Sequence, residues 1–469
     1  MENDNYKSPE PDGAAEEENE GSGQRVIRPY MRKAMQERET LRARSQMDII
    51  IDLAVTFVLL HFLGFPGKMA SVIGGEAVET LIDYGCFALQ LGLMLISSDS
   101  ELIELKLLDI KFKYMPIYLF GAGTVLISCL VTSDLKTDLI TYTRLITTMS
   151  FGIWLSERYE PVELLEAWVR AEIVYVLVTL FFMLRYSSIA YQWHGENGRV
   201  LMGIVGNKNG FSKQMSFGIL LELTLVRELL QNNKVPKPSL WGVFLLQLFM
   251  IIQNKSVGGL FFAFVPVAYL YTAEPALGTQ ARIPLGFLYV VGSVVFLFIA
   301  LTILPLLVPL FEAMGKDATL TGRVPLWRQI ISVISSTHTL FGWGYPRFWK
   351  EKEAYSLVHA GFKDDTFFAT MTSGSHNVLL EMTLYVGLVG LVIFLLMFIL
   401  SMRSVPYMKE EQYIFCSSFL MMFMLSGLTE RGMAAEEYMT LMLFCVLGMA
   451  CGVERPISQQ MRRRPKPDE

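Results

Sequence analysis

Residues 375–401 read SHNVLLEMTLYVGLVGLVIFLLMFILS. From Val378 to Leu400 only Glu381 is charged, and at about 1.5 Å per residue the run is long enough to cross a bilayer core of roughly 30 Å. Such a run predicts an unbroken membrane helix, and so an α-helical membrane fold. It also raises a question, because Ser375, His376 and Asn377 stand where a polar segment meets this apolar one.

Working outward, the same pattern recurs along the chain. Of the 469 residues, 52% are hydrophobic, and the mean hydropathy is +0.39, well outside the profile of a soluble domain. Windows of about 17 to 25 apolar residues predict twelve spans: 47–64, 79–97, 114–131, 138–156, 170–187, 211–230, 239–253, 256–273, 284–311, 377–401, 411–427 and 436–453. Arg144 lies in the fourth and Glu222 in the sixth, while the seventh and eighth are short and separated only by Gln253, Asn254 and Lys255. The five cysteines (Cys86, Cys129, Cys416, Cys445, Cys451) fall in or beside apolar runs without ligand spacing, which suits packing better than a disulfide framework.

The amino-terminal 46 residues lack the features of a cleaved signal peptide. Residues 1–23 have the composition of a disordered acidic tail, and seven basic residues follow between Arg25 and Arg44. Cytoplasmic loops carry the excess of Lys and Arg. That rule puts the amino terminus inside, with Lys106, Lys111 and Lys113, then Arg227, Lys234 and Lys237, then Arg403 and Lys409, then Arg462, Arg463 and Arg464. Both termini are therefore expected in the cytoplasm. The expected organisation is a tail (1–46), nine spans (47–311), a large outer loop (312–375), three spans (376–453) and a basic tail (454–469). The net charge of −5 owes to the acidic stretch 1–23, where eight acids face one lysine, and argues against a nucleic-acid partner.

A loop of this length in a compact protein is usually functional. It mixes Trp327, Trp343, Trp349, Tyr345 and Tyr355 with Arg323, Arg328, Arg347 and Lys350, a composition suited to helices beside anionic headgroups, although an aromatic belt would look the same. There is no Walker-type loop, HExxH, CxxC or Asp-x-Asp. An enzyme built on this sequence is thus expected to use a pre-activated donor, with no cofactor and no metal. Three groups could carry chemistry. GIVGNKNGFSKQ (203–214) sets Asn207, Lys208, Asn209 and Lys213, with Arg199 just before, at a helix start that favours phosphate; an ordinary cap with snorkelling lysines is the plain alternative. Arg323, in a Thr-Gly-Arg turn, could present a planar fork to a diphosphate. His376 could take a proton from a hydroxyl, oriented by a neighbouring amide or carboxylate such as Asn377 or Glu381; a helix cap is the structural alternative.

In this order the segments resemble the bacterial O-antigen ligase and exopolysaccharide polymerase superfamily. The resemblance rests on GNKNGFS (206–212), TGRVPLW (321–327) with LFGWGYPRFW (340–349), and His376-Asn377 followed after nine residues by Gly387-x-x-Gly390. It implies a GT-C-like, multi-pass protein of the inner membrane that moves a saccharide from undecaprenyl diphosphate to an acceptor hydroxyl. The acceptor would be a lipid-linked repeat unit or lipid A core, with chain-length regulators or flippases as further partners. By the same resemblance His376 is the general base, with Arg323 and the Lys208-Asn209 segment near the lipid diphosphate; Arg199, Lys255, Asn377 and Glu381 complete the candidate substrate-binding set on the residue reading alone. Many relatives carry Ser-Arg-Gly where this chain reads Lys255-Ser256-Val257-Gly258-Gly259, and lysine cannot reproduce a bidentate arginine contact. The combination TGRVPLW plus GWGYPRFW sits closer to the polymerases than to the ligases. A transporter, marked by Arg144 and Glu222, and a polysaccharide-binding scaffold are the rival classes, although neither internal repeats nor broken helices are evident in the sequence.

Overall fold

The computed structural model describes residues 46–65, 75–96, 112–193, 198–204, 207–273, 285–303, 306, 323–362, 374–430, 432–435 and 437–453. The expected tails, apart from Gln46 of the first, and the loop portions 312–322 and 363–373 lie outside them. The chain divides into a short unit, Met1–Leu53, and a main unit, Ala54–Glu469. The site described below belongs to the main unit.

A helix lies over each of the twelve apolar stretches: α1 (Gln46–Phe62), α2 (Glu76–Ile96), α3 (Met115–Val131), α4 (Leu135–Arg158), α5 (Pro161–Arg185), α6 (Lys208–Gln231), α7 (Pro238–Asn254), α8 (Val257–Ala268), α9 (Leu285–Phe298), α12 (Val378–Met402), α13 (Glu410–Thr429) and α14 (Tyr438–Gly452). Between α9 and α12 the described part of the loop adds α10 (Arg323–Ser336) and α11 (Lys352–His359). Among the described residues, five helices, covering Glu76–Leu95, Phe112–Val131, Pro161–Arg185, Val378–Tyr407 and Glu410–Thr429, are long and apolar enough to cross a membrane. Four shorter apolar helices accompany them, so the protein is an all-α membrane protein. One addition is a two-stranded hairpin, β1 (Tyr191–Trp193) against β2 (Arg199–Leu201), antiparallel with Gln192 opposite Val200.

The polar helix α6 lies inside. α6 carries Lys213, Glu222, Arg227 and Glu228, yet every residue from Phe211 to Glu228 is buried, because α5, α7, α8 and α13 pack around it. Protein, rather than lipid, surrounds these charges, which is the environment that intramembrane ionisable groups require. Where α5, α6 and α7 meet, Gln247 Nε2 donates to Glu172 Oε1 at 3.3 Å beside Gly218, the residue whose missing side chain makes room for both.

The helix that opened the sequence reading is broken. At Gly387 the backbone turns to φ 66°, ψ −170°, conformational space that glycine enters freely. Residues 339–344 of the loop bind the groups exposed by the break. The N–H groups of Trp343 and Gly344 donate to the carbonyls of Leu384 and Tyr385 at 2.9 and 2.8 Å, and those of Leu388 and Val389 donate to the carbonyls of Thr339 and Leu340 at 2.9 and 3.1 Å. Backbone at membrane depth must be paired within the protein, so the break is also the loop's anchor. The expectation of an unbroken helix is corrected accordingly. Gly342, at φ 66°, faces the break so closely that a Cβ there would lie 2.6 Å from the Tyr385 carbonyl.

Candidate functional site

At the start of α12 the chain is fixed by a set of buried hydrogen bonds. Asn377 is the N-cap, its side-chain oxygen accepting from the N–H groups of Leu379 and Leu380 at 3.1 Å while its amide donates to the carbonyl of Leu428 at 3.1 Å. Ser375 is held from two sides: Trp327 Nε1 donates to its carbonyl at 2.8 Å, and its own N–H donates to Glu381 Oε2 at 2.7 Å. Glu381 Oε1 accepts from Trp349 Nε1 at 2.9 Å and from the Tyr385 hydroxyl. Between these two locked residues His376 takes φ 52°, a left-handed conformation that a non-glycine residue adopts only when its surroundings impose it.

The ring of His376 is thereby turned outward, its side chain 33% exposed, with Nδ1 lying 3.3 Å from Glu430 Oε2. Glu430 follows the last residue of α13, and its other oxygen accepts from Arg323 Nη2, at the first turn of α10. Burial opposes charge on Glu430, but the hydrogen bond to His376 and the charges of Arg323, His376 and Lys213 outweigh it and hold the carboxyl below its ordinary value. An ionised carboxylate only accepts, so Nδ1 is the ring nitrogen that donates to it, and whenever the ring holds a single hydrogen the lone pair is on Nε2.

A second carboxylate closes the site. Lys213, buried on the second turn of α6, has its Nζ 3.6 Å from Glu437 Oε2, at the N-cap of α14, and 5.9 Å from the centre of the Tyr438 ring. One turn earlier on α6, Asn207 caps the helix through the N–H groups of Asn209 and Gly210. Lys208 begins that helix half-buried, and the charge of Lys255 bears on it. Lys255 is the left-handed C-cap of α7, at φ 55°, and Asn254 beside it donates to the carbonyls of Leu201 and Lys208 at 2.6 and 3.0 Å. Two cations pressed together at a helix start, with the dipole adding to them, form a place where an anion lowers the energy of the arrangement.

These contacts sort the residues singled out from sequence. His376 and Arg323 meet through Glu430, while Lys208, Asn209 and Lys255 gather at the start of α6. Asn377 and Glu381 hold the backbone around His376, and the carboxylate that meets its ring is Glu430 instead. Arg323 opens a helix rather than sitting in a turn. Arg199 belongs to the hairpin, where it donates to the Ser187 carbonyl at 3.1 Å and covers the Tyr191 ring at 4.9 Å. Sequence reasoning passed over Glu430 and Glu437, which lie in a short connection with an unremarkable composition. Three acids within GLTERGMAAEEYM (427–439), Glu430, Glu436 and Glu437, between the last two apolar runs, were the available signal.

No curated protein matches the chain. Residues 242–395, about a third of it, match the family model described as O-antigen ligase. The match runs from α7 into α12 and includes Lys255, Arg323, His376, Asn377, Glu381 and Gly387, leaving Lys208, Lys213 and Glu430 outside. Over that third of its length the chain is similar to the O-antigen ligase family, a match that supports the resemblance to the O-antigen ligase and polymerase superfamily.

Proposed function

We propose that the protein is a polymerase of lipid-linked repeat units, acting without a metal on the outer face of the bacterial inner membrane. The donor is a glycan on undecaprenyl diphosphate and the acceptor is a sugar hydroxyl of a second lipid-linked unit. Twelve crossings with both termini in the cytoplasm bring the starts of α6 and α12 and the end of α13 to that face. The observation that carries the reading is the Glu430–His376 contact, with Arg323 on the same carboxylate.

The chemistry follows from these groups. His376 Nε2 accepts the proton of the acceptor hydroxyl as its oxygen attacks the anomeric carbon of the donor. The bond between that carbon and the diphosphate oxygen breaks, and the diphosphate leaves with the electron pair. Positive charge gained by the imidazole is stabilised by Glu430, and negative charge gained by the diphosphate is met by the remaining N–H groups of Arg323 and by Lys208 and Lys255. Attack opposite the leaving group in a single step inverts the anomeric configuration. General-base assistance of this kind contributes about 10²- to 10⁴-fold.

Transfer to lipid A core remains the second reading, since the same base and cations would serve it; the loop motif shared with the polymerases favours the first. Purified protein in nanodiscs, given its lipid-linked repeat unit and a chelator, should release undecaprenyl diphosphate and form dimers and longer oligomers. Release that needs added divalent metal, or no release at all, would count against the mechanism.

A further inference from the structure

Against Ala435 of the 430–437 connection lies a polar cavity of about 230 Å³ that the mechanism above does not use. Glu79, Asp83, Phe87 and Gln90 line it from α2, Arg144 and Thr148 from α4, His61, Phe62 and Gly64 from the end of α1, and Ala435 from the connection itself. The α2 residues recur at spacings of three and four, so a single face of that helix carries them for about 16 Å along its axis. We infer that this cavity is a subsite for a monosaccharide of the acceptor, an inference that rests on the function proposed above.

Three observations carry it. First, Gln90, one of the lining residues, is only 4% exposed, and its buried side-chain oxygen has no hydrogen-bond partner. A buried amide oxygen in that state costs free energy unless a ligand or water donates to it. Second, the lining combines acceptors with donors. His61 Nε2 stands 3.8 Å from Asp83, Arg144 lies over the Tyr84 ring, and Glu79 adds a second carboxylate. Such a set suits the paired hydroxyls and ring oxygen of a sugar, and the two carboxylates disfavour a diphosphate. The volume matches that scale, being room for roughly eight waters or one sugar ring. Third, the cavity is joined to the site. Thr148 Oγ1 donates to the Ala435 carbonyl at 2.8 Å, and Ala435 is five residues from Glu430, at most about 17 Å of extended chain. A sugar in the cavity therefore sits within an oligosaccharide's reach of Glu430 and His376.

The test uses the full-length protein in nanodiscs, and as probe the oligosaccharide that mild acid releases from the cell's own lipid-linked repeat units. Wild type is expected to bind it, Asp83→Asn and Gln90→Met to weaken that binding at least tenfold, and His376→Ala to bind as wild type does. In the transfer assay Asp83→Asn should raise KM for the acceptor about tenfold and leave KM for the donor within twofold. Unchanged binding in both cavity variants, loss of binding in His376→Ala, or a raised donor KM would overturn the assignment. So would displacement of the probe by phosphoethanolamine, which would make the cavity a lipid headgroup site. Failure of transfer in wild type with the binding pattern intact would instead strike the proposed function.

Discussion

Asn377 and Glu381, the amide and carboxylate nearest His376 in sequence, are spent on holding backbone, and the group that meets the imidazole comes from more than fifty residues away. Chemistry-bearing residue types at a helix start were therefore legible, whereas their partners were not, because partnership is a property of how α12 and α13 pack. Glu430→Gln keeps the shape and removes the charge, so kcat should fall about 10²-fold with donor KM little changed; comparing both constants in purified variants checks this. The same substitution has a pH signature. Glu430 is held below its ordinary value, so its contribution to folding is complete above about pH 4.3, the ordinary glutamate value, and is lost as pH falls through the lower folded value. Thermal unfolding of the two proteins in detergent should differ at pH 7 and converge well below pH 4. Arg323→Lys retains a charge without the planar fork and should raise donor KM about tenfold, more than a charge-only contact would.

At the scale of elements, length and polarity located the helices, but they gave no warning of the break in α12. Gly387 and Gly390 were noticed only as a motif, since a glycine in an apolar run is equally a packing residue, and the decisive fact is that Gly342 and Leu340 of a distant loop come to rest against Gly387. Substitution at either glycine opposes both the positive φ and the contact. Gly387→Ala and Gly342→Ala should each cost more than about 3 kcal/mol, seen as loss of folded protein in fluorescence-detected size exclusion. The loop's second anchor is milder: Trp327→Phe removes one hydrogen bond to the Ser375 carbonyl and should cost about 1 kcal/mol. Glu222 made α6 an unusual span in the sequence, and its burial gives the reason: a helix wrapped by other helices can carry charge that a lipid-facing one cannot.

For the whole molecule, the distribution of Lys and Arg makes a prediction about sidedness that packing alone does not. In a cysteine-free background, a cysteine at Trp193, 79% exposed in the hairpin, should react with a membrane-impermeant maleimide in spheroplasts, while one at Val235, 90% exposed between α6 and α7, should react only after lysis. Reversed labelling would turn the bundle over and move the site to the cytoplasm. The central claim, that His376 draws the proton from an acceptor hydroxyl while Glu430 holds its ring, is tested most directly in cells. Wild type and His376→Ala, matched for membrane expression, are compared by gel for the length distribution of lipid-linked and surface glycans. The account predicts that the variant accumulates single lipid-linked repeat units and makes no long polymer; a normal glycan ladder from His376→Ala would contradict it.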